Sequence, residues 1–210
     1  MNVTPELADY IESAVIPRYD SFDSGHRRDH VRMVIDGCME MAGKFDADVD
    51  MLYAAAAFHD TGLVAGREFH HMESGRIIRS DMTLRRWFSE EQIETIACAA
   101  EDHRASSGNE PRSIYGRIVA EADRTIEPHS IIRRTVQYGL AHYPELDMEG
   151  HWDRTVQHMN EKYAEGGYLK LWIKDSPNAA RLEELRAIIR DRKELRRLFE
   201  QFFREETEGL

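Results

Sequence analysis

Only two cysteines, Cys38 and Cys98, occur in 210 residues. That is too few for a disulfide framework, and neither sits in a spacing that binds zinc. Both lie in amphipathic helical stretches and are expected to be reduced core residues of a cytoplasmic protein. No apolar run approaches the roughly 20 residues that cross a bilayer, and no basic-then-apolar segment leads the chain, so neither a membrane anchor nor a leader is expected. Basic residues are in short supply: 28 Lys and Arg against 39 Asp and Glu give a formal net charge of −11. Such an acidic chain is a poor non-specific partner for nucleic acid or an anionic membrane surface, which excludes both as expected partners. Period-two alternation bounded by turn residues is also missing, as are internal repeats and low-complexity linkers.

What is present is helical. The hydrophobic content of 41% and charged content of 32% are those of a globular domain able to bury a core. Periodicity places helices near 5–16, 28–44, 48–60, 71–80, 89–103, 112–126, 128–141, 152–165 and 178–205, an all-α fold. Pro17 is expected to stop the first helix, and Asp48 to cap the third. Ser89 with Gln92 has the form of a capping box, and Pro128 suits a first helical turn. Ser106 to Pro111, "SSGNEP", reads as a loop, and "EGGYLKLWIKDSPN" is the least regular stretch. In the last helix Leu182, Leu185, Ile188, Ile189, Leu198, Phe199 and Phe202 fall near helical spacing. Packing on its own domain and a homodimer contact both satisfy that pattern.

"YAAAAFHDTGLV", Tyr53 to Val64, stands out. A run of small apolar residues reads as a buried helix, and it ends abruptly in His59 and Asp60. An imidazole and a carboxylate buried together are costly unless something satisfies them. Ten histidines are available. His129, His142, His151 and His158 lie among polar neighbours and are expected at the surface or behind other groups, while His26 can orient a helix start. His30, His59, His70, His71 and His103, with Asp60, are spread over separate helices or their ends. Asp123 lies in the apolar "IVAEADRT". Each alone is satisfied by a hydrogen bond or a cap; taken together they point to a shared cation, because imidazole and carboxylate are good ligands for divalent metals and ligands on several helices converge when a bundle closes.

The order His30, His59-Asp60, Asp123 resembles the H…HD…D signature of the HD-domain superfamily of metal-dependent phosphohydrolases. "GHRRDHVRMV", "AAAFHDTG", "HHMESGRIIR", "IETIACAAEDHR", "RIVAEADR" and the late "HMNEKY" resemble successive segments of bacterial HD proteins related to the YedJ group, over roughly the whole chain. The resemblance implies one HD domain over 1–210, with a metal-site core over about 20–145 and a C-terminal helical extension over about 146–210 that ends in a long helix. It implies that His30, His59, Asp60 and Asp123 ligate a divalent metal. His71 and His103 match positions that complete a second metal site in some HD proteins and contact substrate phosphate in others; the adjacent His70 can stand in for His71. The ion is manganese, iron, cobalt, nickel, zinc or magnesium, one or two per chain. Gly62-Leu63 stands where many two-metal phosphodiesterases have Gly-Lys, no GYP triplet occurs, and Ile126 stands where related sequences often carry an acidic residue, with Glu127 beside it.

The implied activity is hydrolysis of a nucleotide or another small phosphate ester by a metal-activated water. Asp60 is both ligand and orienter of that water, and His103 or His71 hydrogen-bonds the phosphate or protonates the leaving oxygen. Arg27, Arg28 and Arg104 either supply local positive potential or form a solvated helix face. The loops around "VAGREF" and "SSGNEP" are expected to shape the substrate pocket. Two other readings fit the same residues: a di-iron oxygenase on an HD scaffold, and a non-catalytic module that binds a metabolite.

Overall fold

The computed structural model describes residues 2–23, 25–104 and 109–208, and every regular element among them is helical. The all-α expectation holds. No helix is long and apolar enough to cross a membrane among the described residues. Residues 106–108 of the expected "SSGNEP" loop lie outside the described ones. The chain divides into two compact units, Met1–Arg124 and Thr125–Leu210.

The first unit is built around α3 (Val49–Phe58), in which every residue from Met51 to Phe58 is buried. A helix apolar on all sides belongs in the middle of a bundle. The four consecutive alanines let α2 (Arg28–Ala42), α5 (Glu90–Asp102) and α6 (Ile114–Ala122) close around it. α4 (His70–Ser80) packs on α5 and on a short 3₁₀ turn, Thr61–Ala65, that follows α3. The caps act as expected: Asp48 accepts the Met51 N–H at 3.1 Å, and Ser89 and Gln92 form a reciprocal capping box.

Pro17 does not stop the first helix. After α1 (Pro5–Tyr10) the chain stays helical through a π turn, Ile11–Val15, and a 3₁₀ turn, Ile16–Ser21. Pro17 lies in the first turn of that last segment, where its missing N–H has no carbonyl to serve. Cys38 is buried as expected, but Cys98 is only partly buried, with its Sγ 3.3 Å from Glu94 Oε1.

The second unit holds α7 (Pro128–His142), α8 (Met148–Lys162), α9 (Pro177–Arg190) and α10 (Arg192–Glu208). The single helix expected over 178–205 is two. Asp191 leaves helical geometry at ψ 87°, and its Oδ1 accepts the N–H groups of Lys193 and Glu194, both at 3.1 Å, capping a fresh start. α8 begins before residue 152 because Asp147 caps it through the Gly150 N–H at 2.8 Å. Of the seven apolar residues read from the terminal pattern, all but Ile188 are buried. Trp152 packs against Phe199, with ring centres 5.4 Å apart. His151 is not at the surface: it is 2% exposed, and its Nδ1 lies close over Gly139, where a Cβ would fall 2.9 Å away. Glu127 is the N-cap of α7, accepting from the Ser130 N–H at 2.6 Å.

Candidate metal centre

The turn after α3 is set by side chains that satisfy the orphan carbonyls of a helix end. His59 Nδ1 meets the Ala56 carbonyl at 2.7 Å, and Thr61 Oγ1 donates to that of Phe58 at 2.8 Å. The Tyr19 hydroxyl donates to the Ala57 carbonyl at 2.9 Å and accepts the Asp60 N–H at 3.3 Å. Gly62 donates its N–H to Ser74 Oγ at 2.9 Å, tying the turn to α4. A Cβ at Gly62 would fall 2.5 Å from the Ser74 nitrogen, so the close approach requires glycine.

Six side chains converge here. His30 Nε2 lies 3.2 Å from Asp123 Oδ1, 3.4 Å from Asp60 Oδ2 and 3.3 Å from His59 Nε2. His59 Nε2 is 3.2 Å from the same Asp60 oxygen and 3.7 Å from Asp123 Oδ1. The other oxygen, Asp60 Oδ1, is 3.3 Å from His70 Nε2 and 3.4 Å from His103 Nε2, and those two nitrogens are 3.2 Å apart. Asp60 is therefore shared by two sets, each oxygen facing its own pair of imidazoles.

The hydrogen positions follow from chemistry. The Nδ1 atoms of His59, His70 and His103 each meet a carbonyl three residues earlier, at 2.7, 2.7 and 2.5 Å. A carbonyl only accepts, so each Nδ1 carries the hydrogen and each neutral ring presents a bare Nε2 lone pair. These lone pairs point at one another and at carboxylate oxygens, which also only accept. Acceptors at 3.2–3.4 Å repel unless a cation lies among them. Imidazole nitrogen and carboxylate oxygen, with Nδ1 anchored on backbone, form the ligand arrangement a divalent transition metal takes. The residues fit the metal.

Without metal, protons do the same work. Burial disfavours a charged His30, but the carboxylates of Asp123 and Asp60 outweigh it and raise the pKa to about 9. Burial opposes a charged His59 as well, and Asp60 and Asp123 hold it well above its ordinary value. Burial would raise Asp60 and Asp123; the surrounding histidines prevail and hold both far below the usual carboxylate range. His70 goes the other way, pushed down by burial.

The structure brings together four of the expected ligands, His30, His59, Asp60 and Asp123, and sets His103 beside Asp60. The remaining expected place goes to His70 rather than His71. Adjacent helical residues point about 100° apart, and it is His70, the first residue of α4, whose Nε2 reaches Asp60 and His103. His71 lies beside His70 with ring centres 5.6 Å apart; its Nδ1 is buried without a hydrogen-bond partner. Burial, then Arg104, lower its pKa to about 4. Arg28 is paired with Asp20, and Arg104 donates to the Glu68 carbonyl. Arg27 is exposed at the N-cap of α2. Tyr19 and Ser74 were not foreseen: a tyrosine 41 residues from the turn it braces leaves no local pattern.

An all-helical unit with a shared-carboxylate His/Asp cluster is of a class that could hold a metal, and the family comparison agrees with that class. Residues 27–126 match the family model described as HD domain, a stretch that contains all six converging residues. Among solved structures the chain is similar to a predicted HD superfamily hydrolase from an uncultured Thermotogales bacterium. The two are 19% identical, the match covers 74% of this chain and 86% of that one, and the TM-score is 0.48. No curated protein matches the chain.

Proposed function

We propose that the chain is a metal-dependent phosphohydrolase acting on a nucleotide or another small phosphate ester, the activity implied by its likeness to HD proteins and, more narrowly, to the YedJ group. The observation that carries this reading is the division of Asp60, whose Oδ2 faces His30 and His59 while its Oδ1 faces His70 and His103. Divalent ions held there supply Lewis-acid polarisation of a phosphoryl oxygen and a water acidified toward neutrality. Asp60 is 2% exposed, and the Tyr19 hydroxyl on its N–H holds the turn from which its carboxylate extends. His103 has both ring nitrogens committed, Nδ1 to Ala100 and Nε2 to the cluster, so it serves as a ligand rather than a proton donor. His71 is neutral at pH 7 and brings no charge to a phosphate. This reading assigns to Arg27, exposed at the start of the helix that carries His30, the contact with an anionic substrate.

A di-iron oxygenase is the second reading, favoured by the second imidazole pair around Asp60 Oδ1. Elemental analysis of protein purified without chelator or affinity-column metal, beside Asp60→Ala, separates the two. Bound redox-inert metal, lost in the variant together with phosphate release from a panel of phosphate esters, supports the hydrolase. Two irons per chain bring the oxygenase forward. Bound metal with no turnover of any ester leaves a binding module, and no metal even after soaking in manganese or zinc overturns the site itself.

A further inference from the structure

Glu101 lies two residues before His103, which puts it on the far side of α5 from the cluster, about 200° around the helix. It is a carboxylate only 7% exposed, a costly group to bury unless paired. Two arginines pair it. Arg79, near the end of α4, donates to Oε1, and Arg112, in the segment leading into α6, donates to Oε2 at 2.6 Å. Arg79 also grips Glu94 at 2.7 and 2.8 Å, and Arg112 grips Asp102 at 2.8 Å, so α4 and the approach to α6 are both tied to α5.

The backbone makes room for this. A Cβ at Gly75 would fall 2.6 Å from the Glu101 Cγ, so glycine in the middle of α4 is what lets the buried carboxylate sit between the two helices. α4 is thus held at two places, by Ser74 against the turn after Asp60 and by Gly75, Arg79 and Glu101 against α5. The second half of the centre depends on these attachments. His70 comes from α4, His103 from the end of α5, and their Nε2 atoms must stay 3.2 Å apart around Asp60 Oδ1. The first half draws on α2, the end of α3 and the end of α6, and none of its ligands comes from α4.

We infer that Glu101, with Arg79 and Arg112, is a positioning residue that fixes α4 on α5 and thereby sets the affinity of the second metal ion while leaving the first unchanged. This rests on the paired-metal reading above. Glu101→Gln keeps the volume but turns a carboxylate oxygen into an amide that faces a guanidinium, so α4 loses its buried attachment to α5 and keeps only the exposed Arg79–Glu94 pair there.

The test is calorimetric titration of the chelator-stripped full chain with manganese, with zinc as a repeat. Wild type is expected to take up two ions, and His70→Ala defines the loss of the weaker. Glu101→Gln is expected to weaken that ion by about 10- to 100-fold, as for other groups that orient metal ligands, and to leave the tighter one within about twofold. Arg112→Gln, whose guanidinium is half exposed, keeps the inference falsifiable if Glu101→Gln does not fold; it should act in the same direction by about three- to tenfold. Arg76→Ala, on the exposed face of α4, should change neither ion. Equal weakening of both ions, or an unchanged second ion, overturns the inference while the paired centre stands. A wild-type chain that takes up one ion or none removes the paired centre itself, and the role of Glu101 with it.

Discussion

Replacing Gly62 by alanine tests the packing that joins the His59-Asp60 turn to α4. The new Cβ would overlap the His70 carbonyl oxygen, lie 2.5 Å from the Ser74 nitrogen and 2.9 Å from the Glu73 Cβ. Two of these three atoms are backbone and cannot rotate away. Overpacking costs about 1–3 kcal/mol in general, and an obstacle of this kind belongs at the upper end, about 3 kcal/mol. For a unit of this size, at roughly 3–5 °C per kcal/mol, Gly62→Ala should melt about 9–15 °C below wild type. The displacement also stretches the bond from the Gly62 N–H to Ser74 Oγ, now 2.9 Å, and carries His70 away from Asp60 Oδ1. The assay is thermal unfolding by far-ultraviolet circular dichroism in chelator, paired with metal titration. A variant melting within about 3 °C of wild type refutes the reasoning, because the strain would then be less than about 1 kcal/mol.

The metal-free protein should lose thermal stability as pH rises from neutrality through about 9, the pKa of His30. A raised histidine pKa stabilises fully below its ordinary value of 6.5 and loses that contribution as pH climbs through the folded value, whereas the depressed carboxylates of Asp60 and Asp123 lose theirs only in acid. Melting across that interval checks it: bound metal should abolish the slope by replacing the proton, and a metal-free midpoint that is flat or rising with pH contradicts the electrostatics. His70→Ala should lower the metal count by one, whereas His71→Ala should leave it unchanged, read by elemental analysis; the reverse pattern would return the ligand role to His71.

How much of this was legible beforehand depends on how local each cause is. The helical class, the caps at Asp48 and Ser89, and Pro128 in a first turn are consequences of residues within four positions of one another, and all were readable in the sequence. So was the grouping of His30, His59, Asp60 and Asp123, because polar side chains at the ends of apolar stretches are expensive without a partner and their order resembles a known signature. The choice between His70 and His71 was not readable. It turns on which of two adjacent residues faces the cluster once α4 has packed on α5, and one residue is about 100° of rotation. The break at Asp191 was hidden for a different reason: no Pro or Gly marks it, and the new helix is started by a side-chain cap, Asp191 Oδ1 on the N–H groups of Lys193 and Glu194.

By itself, then, the sequence determined an all-α chain carrying a buried His-Asp pair at the end of its most apolar helix. Tertiary structure alone decided that Asp60 is divided between two imidazole pairs, that Tyr19 braces its backbone, and that Glu101 ties α4 to α5. The physical reason is distance along the chain. Tyr19 lies 41 residues from Asp60, His70 lies 33 from His103 and Arg79 lies 22 from Glu101, so each contact exists only once the bundle has closed.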